Sequence, residues 1–137
     1  MEGIITEHLG ADRFAIEIRD HVVTVDQPLH DGGEDTGPTP TELFVAGLVS
    51  CVAFYARRYL ARHQLPTIGL TVTAQYSFGT HPVRVTDIQI SIQPPTDLPE
   101  DRLAPLLAMA SHCTVHNTLK EPPEVTIGFV EPALAGA

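Results

Sequence analysis

GGEDTGPTPTELFVAGLVSCVAFYARRYLARHQLP, residues 32–66, decides the architecture. Its beginning, together with the residues from Gln27 onward, mixes glycine and proline with Asp, Glu and Thr, which is the composition of a loop. At Thr39 the chain changes character. Thr39 can accept a hydrogen bond from the N–H of Glu42, Glu42 can reach back to Thr39, and Pro40 takes the first helical position, where a missing N–H does no harm. This capping box predicts a helix running to about His63 and stopped by Pro66. Arg57, Arg58, Arg62 and His63 bring positive charge to its carboxyl end, as the helix dipole favours. From Leu43 to Ala56 the helix is apolar on nearly every face. Such a helix is buried on all sides. A domain of 137 residues can scarcely do that alone, so part of the helix is expected beneath a second subunit.

Upstream, Phe14, Ile16 and Ile18 alternate with polar residues, Arg19-Asp20 offers a turn, and Val22 to Val25 form a second run. Ile4 and Ile5 suggest a shorter strand before them. Downstream, Ile68, Leu70, Val72, Ala74, Tyr76 and Phe78 alternate as a strand, with His81-Pro82 at the turn into its partner. There Val83 and Val85 are out of phase with Ile88, Ile90 and Ile92, which predicts a bulge near Thr86-Asp87. Leu103, Leu106, Leu107 and Ala110 have helical spacing over about Pro99 to Ala110, and Pro105 should kink that helix or delay its start. Ser111 is the expected N-cap of a short third helix ending at Lys120, and Val125, Ile127 and Phe129 alternate as a last strand. The expected fold is α+β: an N-terminal β-meander, a long buried central helix, a β-hairpin, two shorter helices and a final strand, in a single domain over residues 1–137.

Hydrophobic residues at 43% and charged residues at 18% suit a globular chain. A net charge of -9 opposes binding to phosphate backbones and anionic lipid, so neither nucleic acid nor a membrane is an expected partner. The opening MEGIITEHLG lacks the basic and apolar regions of a signal peptide. The apolar run Leu43 to Ala56 is shorter than the roughly 20 residues that span a bilayer. A cytoplasmic location follows as the expectation, where thiols stay reduced.

The chain has two cysteines, Cys51 and Cys113. They are either inert core residues or a redox pair. Cys51 lies in the middle of the long helix, beyond the reach of its dipole, so its reactivity needs a cation or donor brought to it. Cys113, two residues after Ser111, is expected at the second position of the third helix, where free N–H groups favour a thiolate. His112 and His116 flank it. With Cys113 they resemble metal ligands on one helix face, but no fourth ligand or CxxC partner accompanies them, so no metal or other cofactor is expected. Glu42 is accounted for by its place in the capping box. No phosphate-binding glycine loop and no GxSxG elbow is present.

The run GGEDTGPTPTELFVAGLVSC, the basic YARRYLARHQLP after it and the later HCTVHNTLK resemble the OsmC/Ohr family, and most closely its OsmC-like subgroup, which shares the GGxDTGPTP signature. The resemblance covers nearly the whole chain. It implies an intertwined homodimer with two long central helices packed together and a site at each end of the interface. It also implies a thiol-dependent peroxidase of organic hydroperoxides, in which Cys51 attacks the peroxide and Cys113 resolves the resulting sulfenic acid as a disulfide. A hydrophobic hydroperoxide is then the substrate, and a dithiol reductant, such as a lipoylated protein, the regenerating partner. The family's peroxidases carry an acid ten positions before the first cysteine, where this chain has Thr41, and an arginine near the first strands, where it has Arg13 and Arg19. Arg13, Arg19, His112 and His116 are therefore the supporting candidates. The alternative is an OsmC-like dimer that binds a small molecule or persulfide, or senses oxidants, without turnover.

Overall fold

The computed structural model describes residues 2–130. Strands β1 (Ile5–Gly10), β2 (Arg13–Ile18) and β3 (His21–Val25) form an antiparallel sheet in that order, the expected meander. Helix α1 (Pro40–Arg62) follows, with Thr39 and Glu42 forming both bonds of the capping box. Strands β4 (Thr71–Gly79) and β5 (Arg84–Gln93) form a hairpin whose register slips between Ser77 and Phe78, leaving Thr86 as the extra residue of the expected bulge. A turn of 3-10 helix at Glu100–Arg102 leads into α2 (Leu103–Ala110), so Pro105 sits in the first turn of the α-helix, where it needs no N–H partner. Helix α3 (Thr114–Lys120) closes the packed part of the chain.

The core forms where α1 crosses the hairpin. Leu48, Val52, Ala56 and Leu60, at steps of four, lie along one face of α1 and pack on Leu106 and Ala110 of α2, with Val72, Ile88 and Ile90 of the hairpin around them. Leu60 and Leu106 are fully buried, and each such side chain contributes about 1.5–3 kcal/mol. The β1–β3 meander stands largely apart from this core.

Within one chain the long helix leaves Phe44 and Phe54 45% and 55% exposed, in keeping with a helix that one chain alone does not bury. The structure corrects two expectations. The first hairpin strand starts at Thr71, not Ile68, because Gly69 adopts φ 89° and turns the chain there. Val125, Ile127 and Phe129 lie in a segment without a ladder partner among the described residues, and Phe129 is fully exposed. Alternation alone makes no strand, since a strand needs an edge to pair with. Helix α1 is also long and apolar enough to cross a membrane by length and composition, but here its inner face is core.

The loop leading into α1 is fastened by a residue that pattern reading passes over. Asp26 is buried, and its carboxylate accepts hydrogen bonds from the Gln27 N–H at 2.7 Å, the Thr36 N–H at 3.0 Å, the Thr36 hydroxyl at 2.7 Å and the Glu34 N–H at 3.3 Å. The Asp26 N–H donates to the Pro38 carbonyl at 3.1 Å. The loop closes so tightly that a Cβ at Gly33 or Gly37 would collide with the carbonyls of Gln27 or Thr24. Burial acts to raise the Asp26 pKa, but the bonds from Thr36, Gln27 and Glu34 outweigh it and hold the carboxyl below its ordinary value. A depressed carboxyl adds stability above its unfolded pKa that disappears as pH falls through the folded value. Asp26→Asn should therefore melt at a lower temperature than the wild type at neutral pH, with the gap closing in acid below the ordinary carboxylate range. Thermal denaturation across pH measures both.

Candidate thiol site

Cys51 is half-buried on α1 and Cys113 is fully buried, and both are free thiols. Cys51 packs against the core cluster that contains Cys113, so the two thiols lie near each other. The expected cap geometry is shifted by two residues. Ser111 does not start α3. Its hydroxyl donates back to the Leu107 carbonyl at 2.7 Å, and its backbone stays helical as the end of α2. Cys113 has the extended backbone of an N-cap, and its sulfur accepts the His116 N–H at 3.2 Å.

This placement reverses the expected ionisation of Cys113. Burial pushes its thiol up, the His116 N–H pulls it down, the neighbouring Cys51 thiol pushes it up again, and the Val115 N–H lowers it slightly. Burial prevails and the group stays protonated above the ordinary thiol range.

The supporting candidates separate clearly. His116 is half-buried, its backbone bonds Cys113, and its ring Nδ1 lies 3.3 Å from the Ser111 carbonyl. His112 is exposed, and its N–H closes the turn onto Met109. Arg13 lies on β2 with its guanidinium near Gly10, and its Nε is buried without a hydrogen-bond partner among the described residues. Arg19 sits at φ 52° in the β2–β3 turn, exposed. One chain thus brings together Cys51, Cys113 and His116, and leaves both arginines on the separate meander. Glu42 is held in the capping box, and Thr41 borders a small depression with Phe44 and Arg84. Among the described residues no three His, Cys, Asp or Glu side chains converge as a metal site.

Two further residues tie α1 to the start of α3 beside the thiols. Tyr55, one turn after Cys51, places its hydroxyl 2.8 Å from the hydroxyl of Thr114, the residue after Cys113. Its spacing of four from Cys51 was visible in the sequence, but its partner was not. Beside the site, a groove of about 530 Å³ between α1, β5, α2 and α3 is lined mainly by apolar side chains, including Phe44, Leu48, Ile88 and Leu107, together with His116 and Lys120.

A family profile described as OsmC-like protein matches residues 32–128. Among solved structures, the chain resembles a Psychrobacter arcticus protein assigned to the osmotic-stress and detoxification response, with TM-score 0.78 and 19% identity over 86% of this chain and 88% of that one. An OsmC-like protein of Mycoplasma pneumoniae gives TM-score 0.74 and 19% identity, covering 89% of each chain. The organic hydroperoxide resistance protein OhrB of Bacillus subtilis gives TM-score 0.63 and 16% identity over 89% of this chain and 92% of that one. No curated protein matches the sequence.

The raised Cys113 thiol has a measurable consequence. A thiol whose pKa is raised by folding stabilises the fold fully below the unfolded value of about 8.5 and loses that contribution as pH rises through the folded value. The reduced protein should lose stability above that pH, and Cys113→Ala should show a flatter decline. Urea titrations between neutral and alkaline pH read the difference, and parallel declines would contradict it.

Proposed function

The chain belongs to the OsmC-like protein family, and we propose on that footing that it is a thiol-dependent peroxidase reducing organic hydroperoxides through Cys51 and Cys113. The observation that carries this reading is the pair of free thiols near each other at the α1–α3 junction, beside an apolar groove. The related fold of a protein named for organic hydroperoxide resistance supports the choice of oxidant. The Cys51 thiolate attacks the outer peroxide oxygen, the O–O bond breaks, and the alkoxide takes a proton and leaves as an alcohol. Cys51 is left as a sulfenic acid. Cys113 sulfur then attacks the Cys51 sulfur, water departs, and a disulfide joins the two. A dithiol, such as that of a lipoylated protein, exchanges with this disulfide, restoring both thiols and becoming a cyclic disulfide itself. The apolar groove suits a hydrophobic hydroperoxide, and a cytoplasmic setting suits a site that must begin reduced.

The working unit is an intertwined homodimer. Its support is the exposed Phe54 on the outer side of α1, the meander that makes few contacts with the rest of the chain, and the segment around Ile127 and Phe129, which has no ladder partner among the described residues. A second copy would also bring Arg13 or Arg19 toward Cys51. The second reading, a dimer that binds or senses without turnover, is favoured by one observation: among the described residues no guanidinium or ammonium group bonds to Cys51, and Thr41 replaces the family's acid.

Light scattering at micromolar concentration should give twice the chain mass, and a monomer would remove the intertwined site. Stoichiometric cumene hydroperoxide should remove two hydrogens from the reduced protein by mass spectrometry. Cys113→Ser should instead leave a trappable sulfenic acid at Cys51, and Cys51→Ser should abolish peroxide consumption. Sulfenic acid without sustained turnover in the presence of dithiols would favour the sensing role.

A further inference from the structure

We propose that Tyr55 and Thr114 are a positioning pair that holds Cys113 within disulfide reach of Cys51. The inference rests on the reading above that the two thiols form a redox couple, and it names residues that set how readily they join.

Helix α3 is weakly anchored. It has seven residues, from Thr114 to Lys120, and buries none of them completely. What holds its start against α1 is the buried Cys113 sulfur, the half-buried Val115 and His116, and the bond from the Tyr55 hydroxyl to the Thr114 hydroxyl. Among the described residues that bond is the side-chain hydrogen bond joining the two cysteine-bearing helices. Its geometry follows from helix periodicity. Residues four apart share a face, so Tyr55 projects from α1 alongside Cys51. Thr114 stands next to Cys113. The hydroxyl pair and the thiol pair are therefore neighbouring ties between the same two elements.

A disulfide tolerates little misplacement: Cα atoms must lie about 4.4–6.8 Å apart. The Cys113 sulfur that would join Cys51 is also the acceptor of the His116 N–H, so the cap of α3 and the disulfide draw on the same atom. The Tyr55–Thr114 bond does not depend on the sulfur and keeps the start of α3 in place as the disulfide forms. By linkage, a tie that favours the joined geometry makes the disulfide harder to reduce.

The test uses the whole chain with Tyr55→Phe, Thr114→Val and the double variant. Each is equilibrated with oxidised and reduced dithiothreitol, and each is separately oxidised with diamide, whose azo group takes up the two thiol hydrogens to become a hydrazine as the disulfide forms. Without the bond the weakly anchored start of α3 moves away from Cys51 in the reduced chain. A fall of about threefold or more in the disulfide equilibrium constant is therefore expected for either single variant, with about tenfold, the full strength of one ordinary hydrogen bond, as its ceiling. A tenfold fall is about 30 mV in this two-electron couple. The double variant should be no worse than the singles, because both remove the same bond. Sulfenic acid formation by cumene hydroperoxide in the Cys113→Ser background should be unchanged by Tyr55→Phe. That separates positioning from chemistry and from a general loss of stability.

An unchanged equilibrium constant in folded Tyr55→Phe overturns the proposal, as does strict additivity in the double variant. Failure of the wild type to form the disulfide even with diamide overturns it as well. Because diamide and dithiothreitol need no peroxidase activity, a shifted constant in a protein that ignores hydroperoxides supports the positioning pair while removing the proposed peroxidase function.

Discussion

The rotation of α1 about its own axis is the constraint on which the rest of the structure depends. Each residue of a helix turns about 100° from the last, so a change of one residue in its starting point would aim every side chain elsewhere. The start is fixed twice. Thr39 and Glu42 close the capping box, and Asp26 locks the loop immediately before it through four donors. With that phase set, Leu48, Val52, Ala56 and Leu60 face the core, and Cys51 and Tyr55 fall on the flank next to α3. The thiol site is thus a consequence of where the helix begins, three to four turns away.

The elements that sequence made legible are those whose cause is local. The capping box, the stop before Pro66, the delayed start around Pro105 and the bulge at Thr86 each depend on residues within a few positions of one another. The errors arose where two local rules competed or where the cause was distant. Ser111 is a good N-cap in isolation, but it was captured by the Leu107 carbonyl one turn back, and the cap passed to Cys113. Asp26 acts through Thr36, ten residues on, and Tyr55 through Thr114, fifty-nine residues on. No periodicity announces bonds of that span. Both cysteines were identifiable, but the protonated state of Cys113 depends on burial, which spacing does not reveal.

One chain accounts for only part of its own apolar surface. Val72, Ile88 and Ile90 find α1, whereas Phe54 and the meander's Val22 face outward, with Val22 66% exposed. Scattered apolar residues on a surface are ordinary, but these lie on a helix face and on a sheet that has little else to pack against. The reading of α1 as apolar all round was correct about the sequence and incomplete about one chain. The side of α1 that the core leaves uncovered is where a second copy would sit.

The ionisation of Cys113 bears on how labour would be divided between the thiols. The thiolate is the species that attacks peroxides, so a thiol held protonated by burial reacts slowly with them. In the proposed peroxidase cycle, that would suit Cys113 to the second step and not to the first attack. Once Cys51 carries a sulfenic acid, its oxygen must leave with a proton to become water. Cys113 arrives at that step with a proton to lose, and its sulfur gains nucleophilicity as the proton moves toward the departing oxygen. The burial that opposes a free Cys113 thiolate therefore favours a concerted resolution, in which no buried negative charge forms. Such a step leaves little room for misalignment, since sulfur, sulfur and departing oxygen must be near a line while the proton transfers. In such a cycle the alignment would fall to a short helix with few anchors, one of them the hydroxyl pair beside the sulfurs.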